Sequence, residues 1–278
     1  MTKVGLRWLL VFVPCACGRI GFDASCAVPE PVDESCVAMT TRFTASYAGG
    51  GVRFALDEIT ADGETHDADS KYTAQCTGMC PVSAEGAQGM GRGLKFSNQQ
   101  LRITGLPGLD GSTGYTVAVW ARLDTLPGAM NPLETRYSCA VSMPNSTAMP
   151  SPPEDDGNSF ALCVEPSGRA YVFSTSSTRA DALIPVDGFG VTGTDEWHHI
   201  AATWDAACKT QVLYFDGCRV NVRTGIEIQF DPADVFVGAD NFGTHDARPT
   251  YFWNGVLDDL LIYDRPLGDA EIRGLVGK

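Results

Sequence analysis

From Phe43 onward, short apolar runs alternate with clusters of Gly, Pro, Asp and Asn. The runs at 52–58, 93–96, 115–123, 137–142, 159–164, 170–174, 197–204, 211–215, 226–230, 235–238 and 256–263 have strand length and are rich in β-branched and aromatic side chains. Asp216-Gly217 between two such segments is a hairpin signal, because both residue types tolerate the positive φ of a tight turn. One segment reads as helix: Leu267 to Val276 puts Leu267, Ile272 and Leu275 roughly on one side, with Asp269 and Glu271 near its start. No internal repeat is present. Many short strands and one terminal helix predict an all-β fold, a two-sheet antiparallel β-sandwich or jelly roll with a short C-terminal helix.

The last run, Leu257-Asp-Asp-Leu-Leu-Ile-Tyr, has a polar intrusion. Period-two alternation puts Asp258, Leu260 and Ile262 on one face. An Asp among Leu and Ile needs hydrogen bonds or a cation. Trp197, His199 and Trp204 read as core and rim packing. His198 and His199 are adjacent in a strand, so they point to opposite faces and do not share a metal.

Composition narrows the function classes. The chain has 278 residues, 44% of them hydrophobic, 30 Gly, 16 Pro and 19% charged. No apolar run is long enough to span a bilayer as a helix, and long surface helices are disfavoured. With 34 acidic against 20 basic side chains the formal net charge is -14, which excludes phosphate-backbone binding and so a nucleic-acid partner.

The first residues carry a different pattern. Lys3 and Arg7 precede Trp8-Leu-Leu-Val-Phe-Val13, then Pro14-Cys-Ala-Cys-Gly18, the form of an export signal. Ala16 before Cys17 resembles the lipobox of bacterial lipoproteins, with two departures: Pro14 where Leu is usual and Cys15 where Ala or Ser is usual. The resemblance implies a signal peptide at 1–16, lipidation of Cys17 and a tether over 17–42, where Pro29, Glu30, Pro31, Asp33 and Glu34 show little periodicity. It also implies outer-membrane placement, since Gly18 is not an inner-membrane retention Asp. A folded domain is expected over 43–278, held at the membrane through the lipid only.

Eight cysteines remain after Cys15 and Cys17, an even number in an exported chain and so a disulfide framework. Eight cysteines allow 105 pairings. Sequence neighbours suggest Cys26–Cys36, Cys76–Cys80, Cys139–Cys163 and Cys208–Cys218. A strand over 211–216 would separate the last two by about 17–20 Å, whereas a bridge needs Cα atoms within about 7 Å. Zinc at Cys76 and Cys80 lacks a second ligand pair.

Five segments then carry a specific resemblance: Gly91-Arg-Gly-Leu-Lys-Phe96, Tyr115-Thr-Val-Ala-Val-Trp-Ala-Arg-Leu123, Glu196-Trp-His-His-Ile-Ala-Ala-Thr-Trp204, Leu213-Tyr-Phe-Asp-Gly217 and Phe252-Trp-Asn-Gly-Val-Leu-Asp-Asp-Leu-Leu-Ile-Tyr-Asp-Arg-Pro-Leu267. With Phe54-Ala-Leu-Asp-Glu58 ahead of them and Ala270-Glu-Ile272 behind, they resemble the concanavalin A-like, laminin G-like jelly-roll domains over about 50–277. Such domains often bind calcium, which takes carboxylate and carbonyl oxygens. The resemblance implies a site where first and last strands meet, at Asp57, Glu58 and Asp258. Asp240 and Asn241 are a second candidate for the cation.

Ligand contacts are expected on the loops 125–158 and 240–253, through Asn158, Asp240, Asn241, Phe242, Arg248 and Tyr251. Aromatic faces beside Asn, Asp and Arg suit a sugar. The paired carboxylates of jelly-roll glucanases, a Gly-x-Ser-x-Gly elbow and a His-Glu-x-x-His pair are all missing from the sequence, so a non-catalytic domain is expected. The expected function is a surface-anchored, lectin-like or adhesion module for a carbohydrate or cell-surface protein. The alternatives are a cell-envelope scaffold or a jelly-roll hydrolase.

Overall fold

Strands long enough to be buried on both sides form the centre of the molecule, and short polar ones form its edges. The computed structural model describes residues 51–87, 91–106, 109, 111–128, 137–145, 158–174, 192–228, 230, 234–241 and 249–276. The first sheet runs β13 (Cys218–Thr224), β12 (Thr210–Phe215), β11 (Trp197–Asp205), β7 (Gly114–Leu123), β17 (Asn254–Tyr263), β5 (Arg92–Ser97), β4 (Val82–Glu85), with β1 (Gly51–Phe54) also on β17. The second runs β10 (Ala170–Phe173), β9 (Asn158–Val164), β8 (Ser138–Pro144), β14 (Val235–Val237), β6 (Leu101–Ile103), β3 (Thr73–Cys76), β2 (Glu64–His66). β15 (Asp240–Asn241) and β16 (Pro249–Thr250) form a small ribbon. This is the expected two-sheet antiparallel sandwich.

Period-two alternation builds the core between the sheets. Tyr115, Val117, Val119, Ala121 and Leu123 of β7 meet Phe160, Leu162 and Val164 of β9 in one continuous cluster with Trp204 and Trp253. Each fully buried aliphatic side chain contributes about 1.5–3 kcal/mol. The strands approach closely at Gly255, where a Cβ would lie 2.0 Å from the Arg122 carbonyl oxygen.

Helix α1 (Asp269–Val276) lies where the 3.6-residue pattern predicts. Glu271 accepts the Gly268 N–H at 2.9 Å, a reach-back cap, and Asp269 at the positive end of the helix dipole accepts the Tyr214 hydroxyl at 2.8 Å. Leu267, Ile272 and Leu275 seal Ala118, Ala201, Val212, Tyr214 and Leu261 on the outer face of the first sheet.

Four local expectations change. The first run stops at Phe54, because Leu56 turns to φ 58°. Where a strand is expected over 226–230, the described residues Ile226, Glu227, Ile228 and Phe230 belong to none; Ile226 and Ile228 pack into the core, and the Ile226 carbonyl accepts the Trp204 indole N–H at 3.2 Å. In β17 the register against β7 shifts between Asp258 and Leu261, with Asp259 at φ 47°. This bulge puts Leu257, Leu260 and Ile262 in the core and turns Asp258 to the outer face opposite Trp120, so Asp258 does not share a face with Leu260 and Ile262.

The fourth change concerns cysteines. Cys76–Cys80 and Cys139–Cys163 form, with Cα atoms 5.2 and 4.0 Å apart. The expected Cys208–Cys218 bridge does not: the two residues lie at opposite ends of β12, and Cys208 is disulfide-bonded elsewhere than to Cys218. Cys26 and Cys36, like Cys17, lie outside the described residues.

Candidate functional site

The outer face of the second sheet is the first region of interest. Since Phe160, Leu162, Val164 and Val172 point into the core, Ala161, Cys163, Tyr171 and Phe173 point out. Tyr171 pairs across the sheet with Cys163, and Cys163 with Cys139, so the Cys139–Cys163 disulfide lies flat beside the Tyr171 ring. Tyr137 and Tyr251, both half-buried, close around it. Tyr137 meets Tyr171 edge-on with ring centroids 5.0 Å apart, and meets Tyr251 the same way at 5.4 Å. Edge-to-face packing locks ring orientations and contributes about 0.5–1.5 kcal/mol per pair.

Tyr251 holds a left-handed backbone at φ 48°, unusual for a bulky residue and costing on the order of 1 kcal/mol. Its carbonyl is held by the Cys139 N–H at 2.8 Å. The loop is thereby pinned to the disulfide strand with its ring against Tyr137. Beside this platform the Asn158 amide donates to Asp240 Oδ2 at 3.1 Å, and both residues are buried. Burial first, with the negative charge of Asp240 among its neighbours adding to it, pushes the Tyr171 phenol well above the ordinary range, so it stays a neutral hydroxyl.

Of the expected ligand residues, then, the fold gathers Asn158, Asp240 and Tyr251. Asn241 pairs with Pro249 in the β15–β16 ribbon, and Phe242 and Arg248 lie outside the described residues. Sequence reasoning missed Tyr137, Tyr171 and Phe173. The signal was in Ala170-Tyr-Val-Phe173: if Ala170 and Val172 face the core, the two aromatics face out.

The second region is a turn between β4 and β5. Asp258 Oδ2 accepts the Ala87 N–H at 2.8 Å, and Asp57 Oδ1 accepts the Arg92 N–H at 3.2 Å. Gly86 is required here, because a Cβ would lie 2.7 Å from Asp258 Oδ2. Burial raises the Asp258 carboxyl to about 6, and the charges of Asp259 and Asp57 add to the rise. Asp259 itself is clamped by Arg53 at 2.5 Å. Among the described residues no three His, Cys, Asp or Glu side chains gather as a metal set, and Glu58 is exposed. Asp57 and Asp258 do converge on one turn. Two carboxylates under mutual repulsion beside backbone carbonyls are a donor set of the type that calcium accepts, completed by water.

Two packed antiparallel sheets, a terminal helix on one outer face and an aromatic face on the other define a jelly-roll domain of lectin type. The chain belongs to the concanavalin A-like lectin/glucanases superfamily, whose laminin G-like family pattern it matches over residues 95–273. Among solved structures it is similar to the binding domain of Paraclostridial Mosquitocidal Protein 1, at 13% identity and a TM-score of 0.57, covering 82% of this chain and 51% of that one. It is similar to domain 4 of AbnA, an extracellular arabinanase from Geobacillus stearothermophilus solved with arabinotriose, at 16% identity and a TM-score of 0.55, covering 82% and 100%. Trypanosoma rangeli sialidase shares the fold at 14% identity and a TM-score of 0.55, covering 81% and 32%. The chain thus spans about half of the first of these and a third of the sialidase. No curated protein matches the sequence.

Proposed function

We propose that this chain is a non-catalytic, lectin-like module that holds a carbohydrate on the outer face of its second sheet. The observation that carries the reading is the Tyr137–Tyr171–Tyr251 platform with the Asn158–Asp240 pair beside it. The half-buried rings of Tyr137 and Tyr251 offer flat apolar surface with polar tips over the buried Tyr171, and the buried Asn158–Asp240 pair ties β9 to β15. The arabinotriose found with domain 4 of the arabinanase supports this ligand class. An export signal and lipidation at Cys17 would hold the module at the outer membrane, where carbohydrate or cell-surface protein is the partner at hand.

The test is a glycan array probed with the full chain in detergent. Saturable binding that Tyr251→Ala weakens by tenfold or more supports the reading. Binding to no glycan, or binding that Tyr251→Ala leaves unchanged, overturns it.

Calcium belongs to this proposal at Asp57 and Asp258, where it would neutralise the two carboxylates and tie the first and last strands to the Gly86–Arg92 turn. Thermal unfolding with calcium and then with chelator tests it. At a hundredfold excess over Kd, calcium would stabilise the fold by about 2.7 kcal/mol, and Asp57→Ala or Asp258→Ala would abolish the shift. An unchanged Tm overturns the cation assignment.

A further inference from the structure

We infer that His198 and Glu196 form a site for a divalent transition metal such as zinc, at the end of the sandwich where β11 begins. Ile200, Ala202 and Trp204 of β11 point into the core, so period-two alternation turns His198 the same way. Its imidazole packs on the Phe215 ring with centroids 4.5 Å apart, and 7% of the side chain is exposed. Nδ1 lies 2.9 Å from Asp216 Oδ2, in the turn between β12 and β13. Asp216 is itself held in place: its Oδ1 accepts the His199 N–H at 2.9 Å, and its own N–H donates to the His199 carbonyl at 2.8 Å.

A carboxylate only accepts, so the Nδ1 proton belongs to this bond, and the neutral ring presents a bare lone pair at Nε2. A carboxylate on one ring nitrogen and a metal on the other is the arrangement that fixes the tautomer of a metal-ligating histidine. Nε2 is buried and has no hydrogen-bond partner among the described residues. The atom it faces is Glu196 Oε2, 3.5 Å away, on a side chain that is 52% exposed. Two acceptors face to face are unfavourable unless a proton or a cation lies between them. A tetrahedral ion with bonds of about 2.0–2.1 Å holds its ligand atoms about 3.3–3.4 Å apart, which matches the gap.

The turn before β11 holds Glu196 there. Thr194 bridges to Leu123, and Asp195, at φ 63°, donates its N–H to the Leu123 carbonyl at 2.8 Å. The carboxylate rests on Gly193, where a Cβ would lie 3.0 Å from Oε2. A nitrogen donor favours zinc, copper or nickel over calcium, which sets this site apart from Asp57 and Asp258. No third His, Cys, Asp or Glu side chain completes the set among the described residues, so water fills the remaining positions. The site is open and exchangeable, unlike a closed structural one with four protein ligands.

The test is calorimetric titration of the full chain in detergent with zinc sulfate, in excess calcium so that the Asp57–Asp258 turn does not contribute. The expected result is saturable binding at a single site. Glu196→Gln and His198→Gln should each weaken it by at least about tenfold, and so should Asp216→Asn, which no longer requires the proton on Nδ1. His66→Gln and His245→Gln should leave it unchanged. With copper in place of zinc, electron paramagnetic resonance should show nitrogen coupling that His198→Gln removes. No zinc binding, binding that Glu196→Gln leaves unchanged, or copper without that coupling overturns the site and assigns the gap to a proton between the imidazole and Glu196. Should His198→Gln fail to fold, Glu196→Gln on the exposed side of the pair still decides the matter.

Discussion

Both outer faces of the sandwich carry an edge-on pair of aromatic rings over a row of paired strands. On the first sheet Trp120 meets His199 with centroids 5.4 Å apart, in a row that continues across β17 to Asp258. On the second, Tyr137 meets Tyr171 at 5.0 Å, in a row that continues to the Cys139–Cys163 disulfide. The difference is access. Trp120, His199 and Asp258 are all buried, and the Gly86–Ala87 turn and α1 lie over that side of the sheet. Tyr137, Phe173 and Tyr251 are half-open. A sealed aromatic row stores stability, and a half-open one has surface left to offer a ligand. The residue types alone would not have told the two apart.

That contrast can be broken at several points. Trp120→Ala should cost the most, about 3–5 kcal/mol in urea unfolding, with glycan affinity of the folded fraction unchanged. If affinity falls in step, the faces are coupled and the contrast fails. Replacing Cys139 and Cys163 together by Ser should cost about 2–4 kcal/mol and also weaken glycan binding, because the disulfide supports the Tyr171 ring. A stability loss with full binding would detach the platform from its floor.

pH dissects the sealed face. Burial lowers the His199 imidazole to about 4, against 6.5 ordinarily, with Asp216 and Asp259 opposing the shift. The unfolded chain therefore binds the extra proton first, and stability is lost as pH falls from about 6.5 towards 4. Asp258, raised from 3.8 to about 6, has the opposite sign: the fold holds the proton more tightly, and stability is lost as pH rises from about 4 to 6. Without calcium the two nearly cancel across that window. Asp258→Asn, which keeps an acceptor for the Ala87 N–H, should raise stability at pH 7 by about 1–3 kcal/mol and expose the His199 slope in chelator-treated protein. A flat pH profile in that variant would show that His199 is not the opposing group.

The smallest stability effect belongs to the open face. Tyr251→Ala should change unfolding by less than about 1 kcal/mol, since relief of its left-handed strain offsets the lost ring contact. A loss as large as that of Trp120→Ala would place Tyr251 in the core energetically and remove it from the platform.

Much of the architecture was readable because β7, β11 and β17 are long and apolar, and because α1 carries its own caps. The strands Glu64–His66, Thr73–Cys76 and Val82–Glu85 were not, since three or four mostly polar residues become strand only through neighbours distant in sequence. Trp253, in the quoted Phe252–Leu267 segment, lies in the core, 1% exposed. Asp258 was assigned to the wrong face because alternation assumes an unbroken ladder, and the bulge at Asp259 carries no local signal. Cys139–Cys163 was legible from two apolar strands flanking one loop. Cys208–Cys218 failed on the same geometry that made it doubtful, a six-residue strand between the two.

The position of β17 has a consequence for how the protein comes into being. It pairs with β7, β5 and β1, and thus with strands that begin as early as Gly51, yet it is made after all of them. A nascent chain ending before Asn254 lacks the strand that joins the two halves of its main sheet. Synthesis must pass Tyr263 before the sandwich can close, and pairings of such long sequence separation form slowly. The sandwich therefore stays unclosed until β17 has been made, and β1, β5 and β7 before it wait for their common partner.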